Sequence, residues 1–169
     1  MRLFIAAEPG AELTEELLRI GRRFKASGVT GSYTPKENLH LTLAFIGEYN
    51  DTKKVMEAIR LSSPEKSGLE LSGIGSFGDL YYAAVKADNA LYSYVERLKR
   101  NLKASGVPYD GKSFKPHITL IRRAENVGEA PAVCPVRSIV TRIVLMRSDR
   151  GPRGMIYTPI GSCGCKETV

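Results

Sequence analysis

The chain has 169 residues, 43% of them hydrophobic and 25% charged, enough to enclose one core or two small lobes that share one; this composition excludes a collagen-like, disordered or membrane-embedded protein. Lys and Arg number 25 against 18 Asp and Glu, a formal charge of +7, which favours an anionic partner such as RNA, DNA or a nucleotide without fixing a fold. Three cysteines are too few and too oddly counted for a disulfide framework, so a reducing, cytoplasmic compartment is expected.

In chain order, Phe4-Ile5-Ala6-Ala7-Glu8 reads as a short strand, with an apolar run too short for a secretion signal. From about Leu13 to Phe24, Leu13, Leu17, Leu18 and Ile20 recur at helical spacing, and the helix ends in Lys25-Ala26-Ser27-Gly28-Val29 with glycine where a C-cap belongs. Asn38 to Phe45 is strand-like and carries His40. A helix is expected near Thr52 to Leu61, a strand near Leu69 to Ser72, and a glycine-rich loop through Gly73, Gly75 and Gly78. Tyr81 to Val85 is a strand, and Leu91, Tyr94, Val95, Leu98 and Leu102 mark a helix that ends in Lys103-Ala104-Ser105-Gly106-Val107. Lys115 to Leu120 is a strand with His117. Arg137 to Met146 and Met155 to Ile160 read as two closing strands joined across Gly151-Pro152-Arg153-Gly154. Cys163 and Cys165 lack the further ligands a metal or redox site needs, so residues 162–169 read as a loose tail.

The pentapeptide K-A-S-G-V thus occurs twice, 78 residues apart, each time after a strand and a helix, and His40 and His117 are 77 apart. The chain is read as one α+β domain, 1–169, built from two internal repeats at about 2–46 and 80–121. Its expected form is two pseudo-symmetric lobes, a symmetry that would bring the two histidines together across a shared cleft.

Alternate strand residues share a face, so His40 goes with Thr42 and His117 with Thr119, while the leucines and isoleucine between them face the core. These are the only two histidines. A histidine near its ordinary pKa of about 6.5 serves as either acid or base. A facing pair supplies both, threonine hydroxyls hold phosphate oxygens, and phosphodiester cleavage then needs no metal. His-x-Thr offers no third metal ligand, and Glu37, Glu48 and Asp110 nearby form no metal pattern, so neither a metal nor a cofactor is expected.

The stretch Pro35-Lys36-Glu37-Asn38-Leu39-His40-Leu41-Thr42-Leu43-Ala44-Phe45-Ile46-Gly47, taken with Phe114-Lys115-Pro116-His117-Ile118-Thr119-Leu120, resembles the two-histidine phosphoesterase superfamily. Within it the chain is similar to the RNA 2′,3′-cyclic phosphodiesterases, also called 2′-5′ RNA ligases, from Arg2 to the closing Leu145–Ser148 and Tyr157-Thr158 segments. The resemblance implies an α+β fold of two pseudo-symmetric lobes of antiparallel sheet with helices outside and a concave cleft between them, and metal-independent opening of a terminal 2′,3′-cyclic phosphate to a 2′-phosphomonoester, with ATP-independent 2′-5′ ligation as the reverse transesterification. It makes His40 the proton donor and His117 the acceptor, places Thr42, Thr119 and Arg122 on the phosphate, and offers Phe4 for base stacking. Strict alternation would put Arg123, not Arg122, on the histidine face, so Arg122 requires a bulge or the strand's end to reach the cleft, and Arg123 stands in reserve. Tyr33, Tyr81 and Tyr82 are read as walls, and Arg147, Arg150 and Arg153 near the last hairpin are candidates for RNA backbone contact. The expected partner is RNA with a cyclic phosphate end, bound by a monomer with no membrane or obligate protein partner. The alternatives are a noncatalytic RNA-binding module, or the same chemistry on a small cyclic nucleotide or a 2′-5′-linked oligonucleotide.

Overall fold

Three stretches with apolar residues at every third or fourth position form helices in a computed structural model, which describes residues 1–167. Helix α1 (Ala11–Ala26) buries Leu13, Leu17, Ile20 and Phe24. Helix α2 (Thr52–Leu61) starts on an Asp51 carboxylate that accepts from the Lys54 amide. Helix α3 (Asn89–Ala104) is capped in the same way by Asp88, which accepts from the Leu91 amide, and buries Leu91, Tyr94, Val95, Leu98 and Leu102. The two K-A-S-G-V segments end α1 and α3 identically. Gly28 and Gly106 adopt φ of 92° and 71°, and the next amides, Val29 and Val107, donate to Phe24 and Leu102 carbonyls at 3.1 and 2.9 Å. This is the 6→1 closure that a left-handed residue allows and that a β-carbon opposes.

The strands form two antiparallel sheets. The first has four strands, in the order β3 (Leu41–Glu48), β1 (Arg2–Ala7), β8 (Arg142–Gly151), β9 (Gly154–Gly164). The second has five, in the order β2 (Thr30–Tyr33), β6 (His117–Glu125), β5 (Leu80–Ala87), β4 (Ser67–Phe77), β7 (Arg137–Val140). Alternation divides β1 and β8: Leu3, Ile5, Ala7, Ile143 and Leu145 enter the main core, whereas Phe4, Ala6, Val144 and Met146 form a small cluster with Tyr157 on the opposite face. The sheets approach each other at β3, which follows His40, and β6, which begins at His117. The chain is therefore α+β, two antiparallel sheets with three helices.

Four boundaries differ from the reading of the sequence. The glycine-rich stretch is mostly strand: β4 runs on through Gly73 and Gly75 to Phe77 and pairs with β5 along its length, leaving only Gly78 and Asp79 as the turn. Arg137 to Met146 is not one strand, because the chain changes sheet at Thr141, from β7 paired with β4 to β8 paired with β1. Residues 162–164 belong to β9, with Cys163 opposite Ile143, and Lys166 bridges to Glu65, so this part of the expected tail is held by pairing; Thr168 and Val169 lie outside the described residues. Lys36–Asn38 forms a short 3₁₀ turn, and β3 begins at Leu41, just beyond His40.

Both histidine-bearing segments carry the same irregularity. In β3, Ala44 pairs with Ile5 and Thr42 with Ala6, which leaves Leu43 over. In β6, Ile121 pairs with Tyr81 and Thr119 with Tyr82, which leaves Leu120 over. Leu43 and Leu120 are 77 residues apart, the spacing of the histidines. Each bulge inserts one core residue and moves the following position across the strand.

Candidate active site

His40 and His117 are held by the same device. The Nδ1–H of each donates to the carbonyl two residues upstream, His40 to Asn38 at 2.6 Å and His117 to Lys115 at 2.7 Å. A carbonyl can only accept, so Nδ1 carries the proton and Nε2 is the working nitrogen in both rings. Asn38 is itself fixed, buried and donating from its side-chain amide to the Met155 carbonyl of β9 at 2.9 Å. Nε2 of His40 lies 2.8 Å from the Thr42 hydroxyl.

The surroundings of the two rings differ. Around His40 stand Phe4, with ring centroids 4.8 Å apart, and Tyr157, edge-on at 5.2 Å. Around His117 stand Tyr82 at 5.3 Å and Phe77 at 5.8 Å, both near edge-on. Burial pushes the His40 pKa below the ordinary histidine value; the Asn38 carbonyl opposes this, and the positive charges of Arg122 and His117 add to it. His117 and Arg122 lie on β6 of the second sheet, and His40 directly precedes β3 of the first, the strand that β6 approaches.

The bulge at Leu120 gives Arg122 its access. Ile118, Leu120 and Ile121 are all buried, so Thr119 and Arg122 share the open face of β6, and Arg122 is exposed there. Arg123 is exposed with a left-handed φ of 53°. The matching position after the bulge in β3 is Phe45, 49% exposed, where the other repeat has the arginine.

Phe4 is a correction. Its ring is only 3% exposed and is covered by His40, Tyr157 and Phe45, so it supports His40 instead of offering a face to a base. Tyr33 donates its hydroxyl to the Val29 carbonyl, and Tyr81 packs on Phe24, so both are structural. Tyr82 is a wall, as expected, and it touches His117. Arg147 pairs with Asp149 at 2.7 Å, and Arg150 and Arg153 sit exposed at the tip of the β8–β9 hairpin. The sequence reading passed over Tyr157, Phe45 and Phe77. An exposed aromatic three residues after an H-x-T threonine was a visible signal for Phe45, but nothing local marks the other two.

A cavity of about 500 Å³ opens beside His40, floored by Ala6, Val144 and Met146 and edged by Lys36 and Glu37. A second, of about 840 Å³, lies between β7 and the start of α1 and includes neither histidine. Among the described residues no three His, Cys, Asp or Glu side chains converge as a cation would require, and no helix is long and apolar enough to cross a membrane.

Residues 8–86 match the model of the LigT-like phosphoesterases. A Thermus thermophilus RNA 2′,3′-cyclic phosphodiesterase is 31% identical over 94% of the chain and 87% of its own length. The chain belongs to the two-histidine phosphoesterase family. Two more family members, the RNA 2′,3′-cyclic phosphodiesterases of Thermotoga maritima and Escherichia coli, are 26% and 28% identical over 96% and 94% of the chain, and over 95% and 93% of their own lengths. Among solved structures, a Thermus thermophilus protein superposes with a TM-score of 0.83 at 26% identity, covering 99% of both chains. Escherichia coli LigT complexed with 3′-AMP superposes with a TM-score of 0.78 at 25% identity, covering 97% of both.

Proposed function

We propose that the protein opens terminal 2′,3′-cyclic phosphates on RNA to 2′-phosphomonoesters, by paired histidine catalysis and without a metal. The observation that carries this reading is the twofold occurrence of one arrangement, an imidazole locked with Nδ1–H on the carbonyl two residues upstream and a threonine two residues on, with Arg122 exposed on the strand that His117 opens. In the step proposed, a water oxygen bonds to phosphorus as the bond to the ribose 3′-oxygen breaks. His117 Nε2 takes the water proton, and His40 Nε2–H gives its proton to the departing 3′-oxygen. Thr42, Thr119 and Arg122 hold the nonbridging oxygens and offset their developing charge. The bound phosphate anion also counters the charge of Arg122 on His40, so substrate favours the protonated His40 that the step requires.

The test is hydrolysis, in EDTA, of a short RNA ending in a 2′,3′-cyclic phosphate by wild type, His40→Ala and His117→Ala. A 2′-phosphate formed by wild type and lost in both variants supports the reading. A folded wild type with no turnover refutes it.

The lowered His40 pKa favours one second reading, in which the roles are exchanged and neutral His40 is the base. A nucleoside 2′-(4-nitrophenyl phosphate) separates the two, because nitrophenolate leaves without a proton. If His40 is the acid of hydrolysis, it is the base on the 3′-hydroxyl as that group expels nitrophenolate, so His117→Ala retains activity on this substrate and His40→Ala does not; the opposite pattern assigns His40 as base.

A further inference from the structure

The chemistry just described uses one side of the His117 environment only. On the other side stands an aromatic stack that hydrolysis does not require. Phe77 closes β4 immediately before the Gly78-Asp79 turn, and it is 56% exposed despite its size and apolarity. Its ring lies nearly parallel to that of Tyr82, with centroids 4.6 Å apart and 27° between planes, and meets His117 edge-on. Tyr82 in turn lies across Gly75, where a β-carbon would fall 2.8 Å from Cε2 and closer still to Cζ and Oη. The order is therefore a bare strand backbone, a tyrosine ring and a phenylalanine ring, with the hairpin fixing their spacing. Phe77 leaves exposed aromatic surface beside the His117 ring, and one more flat ring would extend the stack.

The position of the stack limits what that ring can be. An in-line displacement puts attacking and leaving oxygens on opposite sides of phosphorus, so each histidine marks one side. The nucleoside that bears the cyclic phosphate supplies the leaving oxygen on the His40 side, where the cavity floored by Ala6, Val144 and Met146 lies. The attacking oxygen is on the His117 side. Water carries no base, but the 5′-hydroxyl of a second RNA end does.

We infer that Phe77, backed by Tyr82, is the stacking surface for the base of the nucleoside whose 5′-oxygen attacks in 2′-5′ bond formation, and which departs in the reverse cleavage. The inference rests on the reading above, with His117 as acceptor. In the forward step the 5′-oxygen bonds to phosphorus, the bond to O3′ breaks, His117 Nε2 takes the 5′-hydroxyl proton, and His40 protonates O3′. Every atom comes from the two RNA ends, and ring opening of the cyclic phosphate drives the exchange. Reversal protonates the 5′-oxygen from His117.

The experiment compares two substrates in the full-length enzyme: 2′,3′-cyclic AMP, which places no base on the His117 side, and a 2′-5′-linked diadenosine, which does. Phe77→Ala is expected to lower kcat/KM for cleavage of the dinucleotide by roughly 5- to 150-fold, the range for losing one base-on-ring stack. Turnover of 2′,3′-cyclic AMP should stay within about twofold. Phe77→Trp should restore cleavage, and a dinucleotide whose 5′-linked sugar lacks its base should be slow with wild type and insensitive to Phe77→Ala. Equal losses on both substrates would overturn the inference by giving the ring to the cyclic-phosphate nucleoside or to His117 itself. No loss on either would overturn it too, as would a wild type that turns over 2′,3′-cyclic AMP and cannot cleave the dinucleotide. A wild type inert on both would refute the parent reading instead.

Discussion

Replacing Phe4 separates a support from a binding platform. The ring is 3% exposed and lies 4.8 Å from His40, 5.0 Å from Tyr157 and 6.2 Å from Phe45, the centre of the small cluster on the open face of the first sheet. Phe4→Ala deletes a buried aromatic and should cost about 3–5 kcal/mol. At about 2–4 °C per kcal/mol for a chain of this size, the thermal midpoint should fall by roughly 6–20 °C. Phe4→Leu keeps most of the volume and should cost only about 1.5 kcal/mol, so the variant stays folded at assay temperature. It leaves the His40 ring without its neighbour, and a misplacement of about 1 Å in such a group costs on the order of 10²-fold in rate. Steady-state kinetics on 2′,3′-cyclic AMP should therefore show kcat for Phe4→Leu reduced between about 10- and 100-fold, with KM within about threefold. A raised KM with unchanged kcat and an unchanged midpoint would refute the reasoning and return Phe4 to the role of a base-stacking surface.

Further outcomes are expected elsewhere. His40 has a folded pKa below the unfolded value of about 6.5, so its contribution to stability is complete above that pH and is lost as pH falls through the folded value. Denaturant titrations should show this loss setting in as pH falls through about 6.5 in wild type and less of it in His40→Asn, and an imidazole NMR titration that puts His40 at or above about 6.5 would contradict it. Arg122→Ala should lower kcat/KM by about 10²–10³-fold and raise the His40 titration midpoint, whereas Arg123→Ala should do neither; a matched pair of kinetic and NMR measurements checks both. Gly75→Ala should destabilise by about 1–3 kcal/mol through its clash with Tyr82 and cost much less in a Tyr82→Ala background, a coupling that a double-mutant cycle in urea measures directly. The net charge of +7 should make cyclic-phosphate RNA lose rate with added salt far more steeply than 2′,3′-cyclic AMP, and equal slopes would remove the charge argument.

What the sequence disclosed follows from which features are local. The K-A-S-G-V ends were legible because a Schellman closure has a fixed position for glycine, and Gly28 and Gly106 take it. His40 with Thr42 and His117 with Thr119 were legible because side-chain alternation in extended chain is a property of the backbone alone. That Arg122 needs a bulge or a strand end was legible from alternation, and the register shift at Leu120 is the one of the two that occurs, although nothing in Leu120 itself announces it. The sheet change at Thr141 was hidden, since two strands with the same composition differ only in their partners, β4 for one and β1 for the other. Gly73 and Gly75 look like loop residues by propensity, and they are strand residues because one of them lies under a tyrosine ring. Phe77 and Tyr157 reach the site through pairing between segments far apart in sequence, so no local pattern identifies them.

Two identical halves would make a site unable to tell one end of its reaction from the other. With equivalent imidazoles and equivalent neighbours, either oxygen on phosphorus would be treated alike, and the substrate would bind in both orientations. The position just past each bulge ends that ambiguity, since one half offers a guanidinium at Arg122 and the other a phenyl ring at Phe45. The ring neighbours differ as well, Phe4 and Tyr157 about His40 against Tyr82 and Phe77 about His117, so the two ends of the site are chemically distinct.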